Sequence, residues 1–170
     1  MGEIRRGISL QDFCSVYKVF REEPFLEAWP EEEIKNEYDA LLKKSAWMLG
    51  YFEKEKCIGI ITLYPCIVGE HPVKFKNFGK VLYLSDVAVL QSYRRKGIGG
   101  LLFDEAIKLG KKAKFEVIYM RTNAEVGVSK SIGIAKERGF REMSAIQRVT
   151  IKRTDGKIKT DTRLFLKKHL

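Results

Sequence analysis

Arg94, Arg95 and Lys96 are followed at once by Gly97, Ile98, Gly99 and Gly100. An apolar strand pattern ends near Leu90, and six residues separate it from Gly97. A helical pattern begins at Ile98. Glycines let a backbone approach a ligand closely and take positive φ where a turn needs it. The first N–H groups of a helix have no partner within it, and they point at an anion with the helix dipole behind them. Three cations just before that point reinforce the field. The segment therefore reads as a cradle for a pyrophosphate. The plainer reading is a strand-to-helix turn with solvated basic residues. Strand, basic triplet, glycines and amphipathic helix in this order favour the cradle.

Two other phosphate motifs do not fit. A Walker A loop ends in Gly-Lys followed by Ser or Thr, and no such tripeptide occurs. A dinucleotide fingerprint has its first glycine directly after the strand and a third glycine three residues beyond the second. Here the strand ends too early, and Leu102 stands where that third glycine belongs.

The elements that must position this segment follow from periodicity. A short strand spans Glu3 to Gly7. Ser9 and Asp12 make a capping-box-like start to a helix carrying Leu10, Phe13, Cys14, Tyr17 and Phe20, which Pro24 ends. Pro30 and the acids Glu31, Glu32 and Glu33 open a second helix with Ile34, Tyr38, Leu41 and Leu42 on its apolar stripe. Trp47–Phe52 and Ile58–Tyr64 read as a hairpin around a Glu53–Lys56 turn, and residues 65–79 as a loop. Val81–Leu90 is a strand, Ile98–Ala113 a helix, Val117–Thr122 a strand and Ser131–Glu137 a helix capped by Gly139. Ser144–Arg153 and Thr162–Lys167 flank the turn pair Asp155-Gly156. The order β-α-α-β-β-β-α-β-α-β-β implies an α/β (α+β) fold. Its central sheet is mixed and mostly antiparallel, with one parallel βαβ step and flanking helices.

Composition sets bounds. The chain has 170 residues, 45% hydrophobic and 32% charged, which suits one domain, 1–170, with a full core. No apolar run reaches the ~20 residues that span a bilayer, and Met1–Arg6 lacks a signal-peptide core, so a cytoplasmic location without membrane association is expected. Cys14, Cys57 and Cys66 are odd in number and form no C-x-x-C pair. That argues against a disulfide framework and against zinc. Cys14 reads as packed core and Cys57 as a turn residue open to exposure. His71 and His169 lack partners at ligand spacing and read as surface residues, so no metal is expected. The net charge of +10 favours anionic partners. A nucleic acid is disfavoured because no aromatic-plus-basic RNA motif or recognition-helix pattern appears.

The run Arg94-Arg95-Lys96-Gly97-Ile98-Gly99 resembles the R/Q-x-x-G-x-G/A signature of the GCN5-related N-acetyltransferase (GNAT) superfamily. Asp86-Val87-Ala88-Val89 resembles that family's central strand, and Lys136–Phe140 its frequent helix ending in Gly-Phe. The element order agrees over nearly the whole chain. The resemblance implies an acyl-CoA N-acyltransferase-like fold and transfer of an acetyl group from acetyl-CoA to a primary amine by direct attack. It implies two central parallel strands splayed around the pantetheine arm. Val87, Ala88 and Val89 would lie along that arm, and the backbone of Arg95, Lys96, Gly97, Ile98, Gly99 and Gly100 would hold the pyrophosphate. The Arg94 and Arg95 side chains would assist, or would meet the 3′-phosphate or solvent.

Asp86 is the candidate general base, directly or through water, and the alternative is that it faces outward or bonds a neighbouring loop. Glu125 and the acids of the second helix are weaker candidates. The family's tyrosine acid is absent, because its position is Ala135. The family's cofactor-contacting asparagine falls at Val128, with Asn123 and Ser129 as nearby substitutes. Tyr93, Tyr119 and Ser131 are replacement candidates for the acid. Either the thiolate leaves without a dedicated acid, or the chain is a non-catalytic CoA-binding sensor or regulatory module. The acidic cluster Glu22, Glu23, Glu31, Glu32 and Glu33 either attracts a cationic amine or simply complements a helix dipole. A homodimer through the C-terminal strands is compatible with the Leu164-Phe165-Leu166 run, which reads equally well as core.

Overall fold

A computed structural model describes residues 2–21, 26–27, 29–75, 78–124 and 130–170, with the backbone alone at Phe20 and Lys130. Glu22, Glu23, Pro24, Glu125, Val128 and Ser129 lie outside the described residues. The elements are β1 (Glu3–Arg6), α1 (Leu10–Arg21), α2 (Glu31–Lys43), β2 (Trp47–Glu53), β3 (Lys56–Pro65), β4 (Val81–Val89), α3 (Ile98–Lys112), β5 (Val117–Asn123), α4 (Lys130–Glu137), β6 (Arg141–Lys152) and β7 (Ile158–His169). This is the order read from the sequence, with a short 3-10 turn added at Gln91–Tyr93. Seven strands form one sheet in the order β1-β2-β3-β4-β5-β7-β6. Among the described strands, only β4 and β5 pair in parallel.

Local chemistry explains the element ends. The Ser9 hydroxyl accepts the Asp12 N–H at 3.1 Å and caps α1. Pro30 precedes α2 in extended backbone, with three acids in the first turn. Gly139 closes α4 at φ 80°, and the Phe140 N–H returns to the Ala135 carbonyl at 3.1 Å. Gly156, also at φ 80°, turns the β6–β7 hairpin.

The sheet separates two apolar layers. On one face Leu82, Leu84, Ile118, Met120 and Leu166 pack against Leu102, Phe103 and Ala106 of α3 and Ala135 of α4. On the other, Ile60, Tyr83, Tyr119 and Phe165 pack against Phe13, Val16 and Tyr17 of α1 and Ile34 and Leu41 of α2. Phe165 and Leu166 are core residues. Among the described residues, no helix is long and apolar enough to cross a membrane.

Several expectations need correction. β3 begins at Lys56, before the expected Ile58, so Cys57 lies in the strand opposite Phe52 and is 2% exposed. Burial pushes its thiol up to about 11. His71 is half-buried and not a fully exposed surface residue. Its ring lies edge-on to Tyr83 at 4.5 Å, and its Nδ1 is 3.1 Å from the Tyr119 hydroxyl. Cys14 is only partly buried, at the margin of the α1–α2 layer. β6 and β7 begin at Arg141 and Ile158, earlier than Ser144 and Thr162. Their added ends are largely polar and exposed, so no apolar alternation marks them.

The hairpin is tied at its base by Asp161, which is 0% exposed. Arg153 and Arg163 donate to its two oxygens, the latter at 3.1 Å. Removing one partner from a buried ion pair leaves the others uncompensated. Asp161→Ala should therefore cost about 3–5 kcal/mol in urea unfolding. His71 generates a second expectation. Burial first, then the charge of Arg121, lower its imidazole from 6.5 to about 4. The unfolded chain therefore binds a proton that the folded chain refuses. The stability due to neutral His71 is fully present above pH 6.5 and is lost as the pH falls towards 4. Urea midpoints taken across that interval should fall more steeply for wild type than for His71→Phe.

Candidate active site

β4 and β5 pair from Val81↔Val117 to Leu84↔Met120, and there the ladder ends. Both strands continue. β4 runs to Val89 bonded to β3 alone, and β5 runs to Asn123 bonded to β7 alone. A β-bulge lies at the fork, because Thr62 faces Asp86 while Leu63 faces Leu84, leaving Ser85 as the extra residue. The Ser85 hydroxyl lies 2.6 Å from the Thr62 hydroxyl and fixes the bulge to β3. Bulges bend and twist the strand that carries them. Here β4 turns away from β5, which opens a wedge lined by unpaired backbone groups.

The glycine segment sits at the outer end of this wedge. Arg95 and Gly97 both have positive φ, 65° and 78°. Gly97 precedes α3 in left-handed backbone, with no side-chain cap and no acid in the first turn. The leading N–H groups of α3 are thus left for an anion. Arg95 and Lys96 are exposed beside them. Arg94 turns inward, and its Nε donates to the Val89 carbonyl at 2.9 Å. Gly100 has a further role, since a Cβ there would lie 2.6 Å from the Arg138 guanidinium, which in turn grips both oxygens of Asp104.

The wedge has two sides. On the α3–α4 side, Val87 and Val89 are partly buried, and the Thr122 hydroxyl lies 3.3 Å from that of Ser131. Ala88 points the other way, into the α1–α2 layer. Asn123, 2% exposed at the end of β5 and four residues after Tyr119, lies on that second side as well.

Asp86 shares that second face and is half-buried. It does not stand off in solvent, because its charge disfavours ionisation of Tyr17, Glu37 and Tyr83. Burial first, then Asp86, push the Glu37 carboxyl up. Tyr17 is fully buried, and its hydroxyl accepts from Arg21 at 2.8 Å. Arg121 donates to Gln147 Oε1 at 2.9 Å, and its charge acts on the Tyr83 hydroxyl. Asp86, Glu37, Tyr17, Tyr83 and Arg121 are therefore polar groups of the α1–α2 side that act on one another. Glu37 was not singled out from the sequence, although it stands three residues after Ile34 and four before Leu41, on the stripe of α2 that faces the sheet. Arg121 was missed as well, although it follows Tyr119 by two in β5 and so shares its face.

The replacement acids are separated. Ala135 is 0% exposed and carries no hydroxyl. Tyr93 is capped by Lys96 at 4.9 Å from its ring. Tyr119 is buried with its hydroxyl between His71 and Cys66. Ser131 alone lies on the α3–α4 side near the fork. Glu31, Glu32 and Glu33 are exposed, and Glu31 pairs with Lys35 at 3.1 Å, so these acids do not line the wedge. Among the described residues, no three His, Cys, Asp or Glu side chains are grouped to hold a metal.

The geometry agrees with comparisons to known proteins. No curated protein matches the chain in sequence. Solved structures match its fold. NAA60 of Arabidopsis thaliana, in complex with acetyl-CoA, superposes with a TM-score of 0.76 at 16% identity, covering 100% of this chain and 99% of that one. The ribosomal-protein-alanine N-acetyltransferase of Brucella melitensis superposes with a TM-score of 0.72 at 19% identity, covering 99% of each. The model of the acetyltransferase (GNAT) family matches residues 12–144. That match takes in the forked strands and the glycine turn, and by it the chain belongs to the acetyltransferase (GNAT) family.

Proposed function

We propose that this chain transfers the acetyl group of acetyl-CoA to a primary amine. The observation that carries the reading is the open wedge between β4 and β5, ending at an uncapped helix start beside exposed cations. The residues fit the cofactor. The N–H groups of Arg95–Gly100 and the N-terminus of α3 would receive the pyrophosphate. The edge of β4 that β5 leaves without a strand partner at Val87–Val89, where Arg94 meets only the Val89 carbonyl, would receive the amide groups of the pantetheine arm. Thr122 and Ser131 would face it from β5 and α4 on one side, with Asn123 on the other side of the end of β5. Bound there, acetyl-CoA supplies an acyl carbon activated as a thioester. Neighbours of the same fold include an acetyl-CoA complex and a bisubstrate-analogue complex, both of Arabidopsis thaliana NAA60.

The protein's own groups then handle protons. An alkylammonium has a pKa of ~10 in water, so an attacking amine must first lose a proton. Asp86 stands on the α1–α2 side of the fork, where an amine would approach, and accepts that proton directly or through water. Glu37, with its carboxyl raised by burial and by Asp86, is the second acceptor in reach of the same site. The unpaired N–H groups of β4 are donors for negative charge developing on a carbonyl oxygen. Ser131 and Thr122 offer hydroxyls on the opposite side, in place of the tyrosine that Ala135 lacks.

Ala135 also motivates the second reading, a non-catalytic CoA-binding module. Thermal unfolding with acetyl-CoA and turnover with a panel of amines separate the two. The transferase reading expects a rise in melting temperature, lost in Gly99→Glu, which sets a carboxylate against the anion site. Ligand at 100 times its Kd adds ~2.7 kcal/mol to the native state. It also expects CoA release with some amine, and a drop of about 100-fold or more in kcat for Asp86→Asn. Binding without any turnover supports the sensor instead.

A further inference from the structure

Arg121 is the first residue of β5 beyond the last rung shared with β4. It lies two positions after buried Tyr119 and so projects to the α1–α2 side, where an acceptor would enter. Its side-chain partner, the Gln147 amide, is neutral. Among the described residues, no carboxylate lies within ion-pair distance of it. Two more guanidinium groups share this side. Arg21 is fixed to Tyr17 and stacks on Trp29, its guanidinium carbon 3.6 Å from the ring centroid. Arg163 is bonded to Asp161. Burial disfavours the charge on Arg163, and both Arg121 and Arg21 repel it. The same positive field helps to keep His71 neutral. Asp86 on β4 and Arg121 on β5 both lie beyond the last shared rung, Leu84↔Met120, and both face the α1–α2 side, and the Tyr83 hydroxyl feels both charges.

We propose that the acceptor is an amine that also carries a carboxylate, with its ammonium end at Asp86 and its carboxylate received by Arg121. The proposal rests on the reading of the chain as an acetyltransferase. An arginine fork matches a carboxylate through two parallel hydrogen bonds. Gln147 holds the guanidinium in place, which lowers the ordering needed on binding. An arriving carboxylate also relieves the repulsion among Arg121, Arg163 and Arg21. The exposed acids of α2 have no part in this recognition. The same chemistry has two sources: the α-carboxylate of a free amino acid, and the acidic side chain of a peptide with a free N-terminus.

The test is CoA release from acetyl-CoA by the full chain, with matched acceptors. One arm compares free amino acids with their C-terminal amides. The other compares amidated peptides with Glu or Asp at the second position against those with Gln or Asn. In at least one arm, kcat/KM should favour the carboxylate by about tenfold or more, because a site built for a polar group rejects the analogue that lacks it. The arm that responds identifies the source. Arg121→Gln should bring the ratio close to one, and Arg121→Lys should leave it in between. The acetyl-CoA shift in melting temperature checks that each variant is folded. Neutral acceptors used as well as acidic ones in both arms, or a preference that survives Arg121→Gln, overturns the proposal. Acetyl-CoA binding with no acetylation of any acceptor overturns the transferase reading, and this proposal with it.

Discussion

Past Leu84 and Met120 the two central strands keep running but stop pairing. The middle of a sheet is an expensive place to leave backbone N–H and C=O groups without partners. Ser85, inserted as an extra residue against Thr62, imposes the break, because it turns β4 away from β5 while its hydroxyl ties it to β3. The flanks make the break tolerable. β3 continues to bond β4 up to Val89, and β7 continues to bond β5 up to Asn123. Leu102, Phe103 and Ala106 of α3 cover one face, and α1 and α2 cover the other. The opening is a built cleft within a well-packed sheet.

The two sides of that cleft carry different chemistry. The α3–α4 side is neutral and small, with valines, hydroxyls and a helix start without acids, and it leads out to Arg95 and Lys96. The α1–α2 side concentrates ionisable groups: Asp86 and Glu37 from one direction, Arg21, Arg121 and Arg163 from another. Like charges held close together cost stability, and such clusters are more common where a ligand or a reaction uses them. The Asp161 bridge to Arg153 and Arg163 shows how this sheet neutralises buried charge when only structure is at stake. Arg121 is treated differently, since it is held by a neutral amide, that of Gln147.

Much of this was legible in the sequence, and the exceptions have physical reasons. The periodicities of Leu10–Phe20, Ile98–Ala113 and Val81–Leu90 carried the elements, and Gly97 marked the left-handed turn before α3. Asp86 stood out as an acid in an apolar strand, and the structure puts it on the side facing α1 and α2. The fork itself has no local signature, because Ser85 looks like any strand serine until its partner register is known. His71 was misread because its burial comes from the loop folding over Tyr83 and Tyr119, a tertiary event. Cys57 was misread because its turn is shorter than the polar run around it. Glu37 was within reach of the sequence, for it lies on the same stripe as Ile34 and Leu41.

The central claim is that the unpaired edge of β4 is where acetyl-CoA lies, and amide hydrogen exchange along that strand tests it most directly. Exchange would be followed at single residues with and without saturating acetyl-CoA. The account predicts that amides within Ser85–Val89, together with those at the start of α3, slow markedly on binding, while the already paired Leu82–Leu84 segment changes little. Slowing confined to other surfaces, with Ser85–Val89 unaffected, would contradict it.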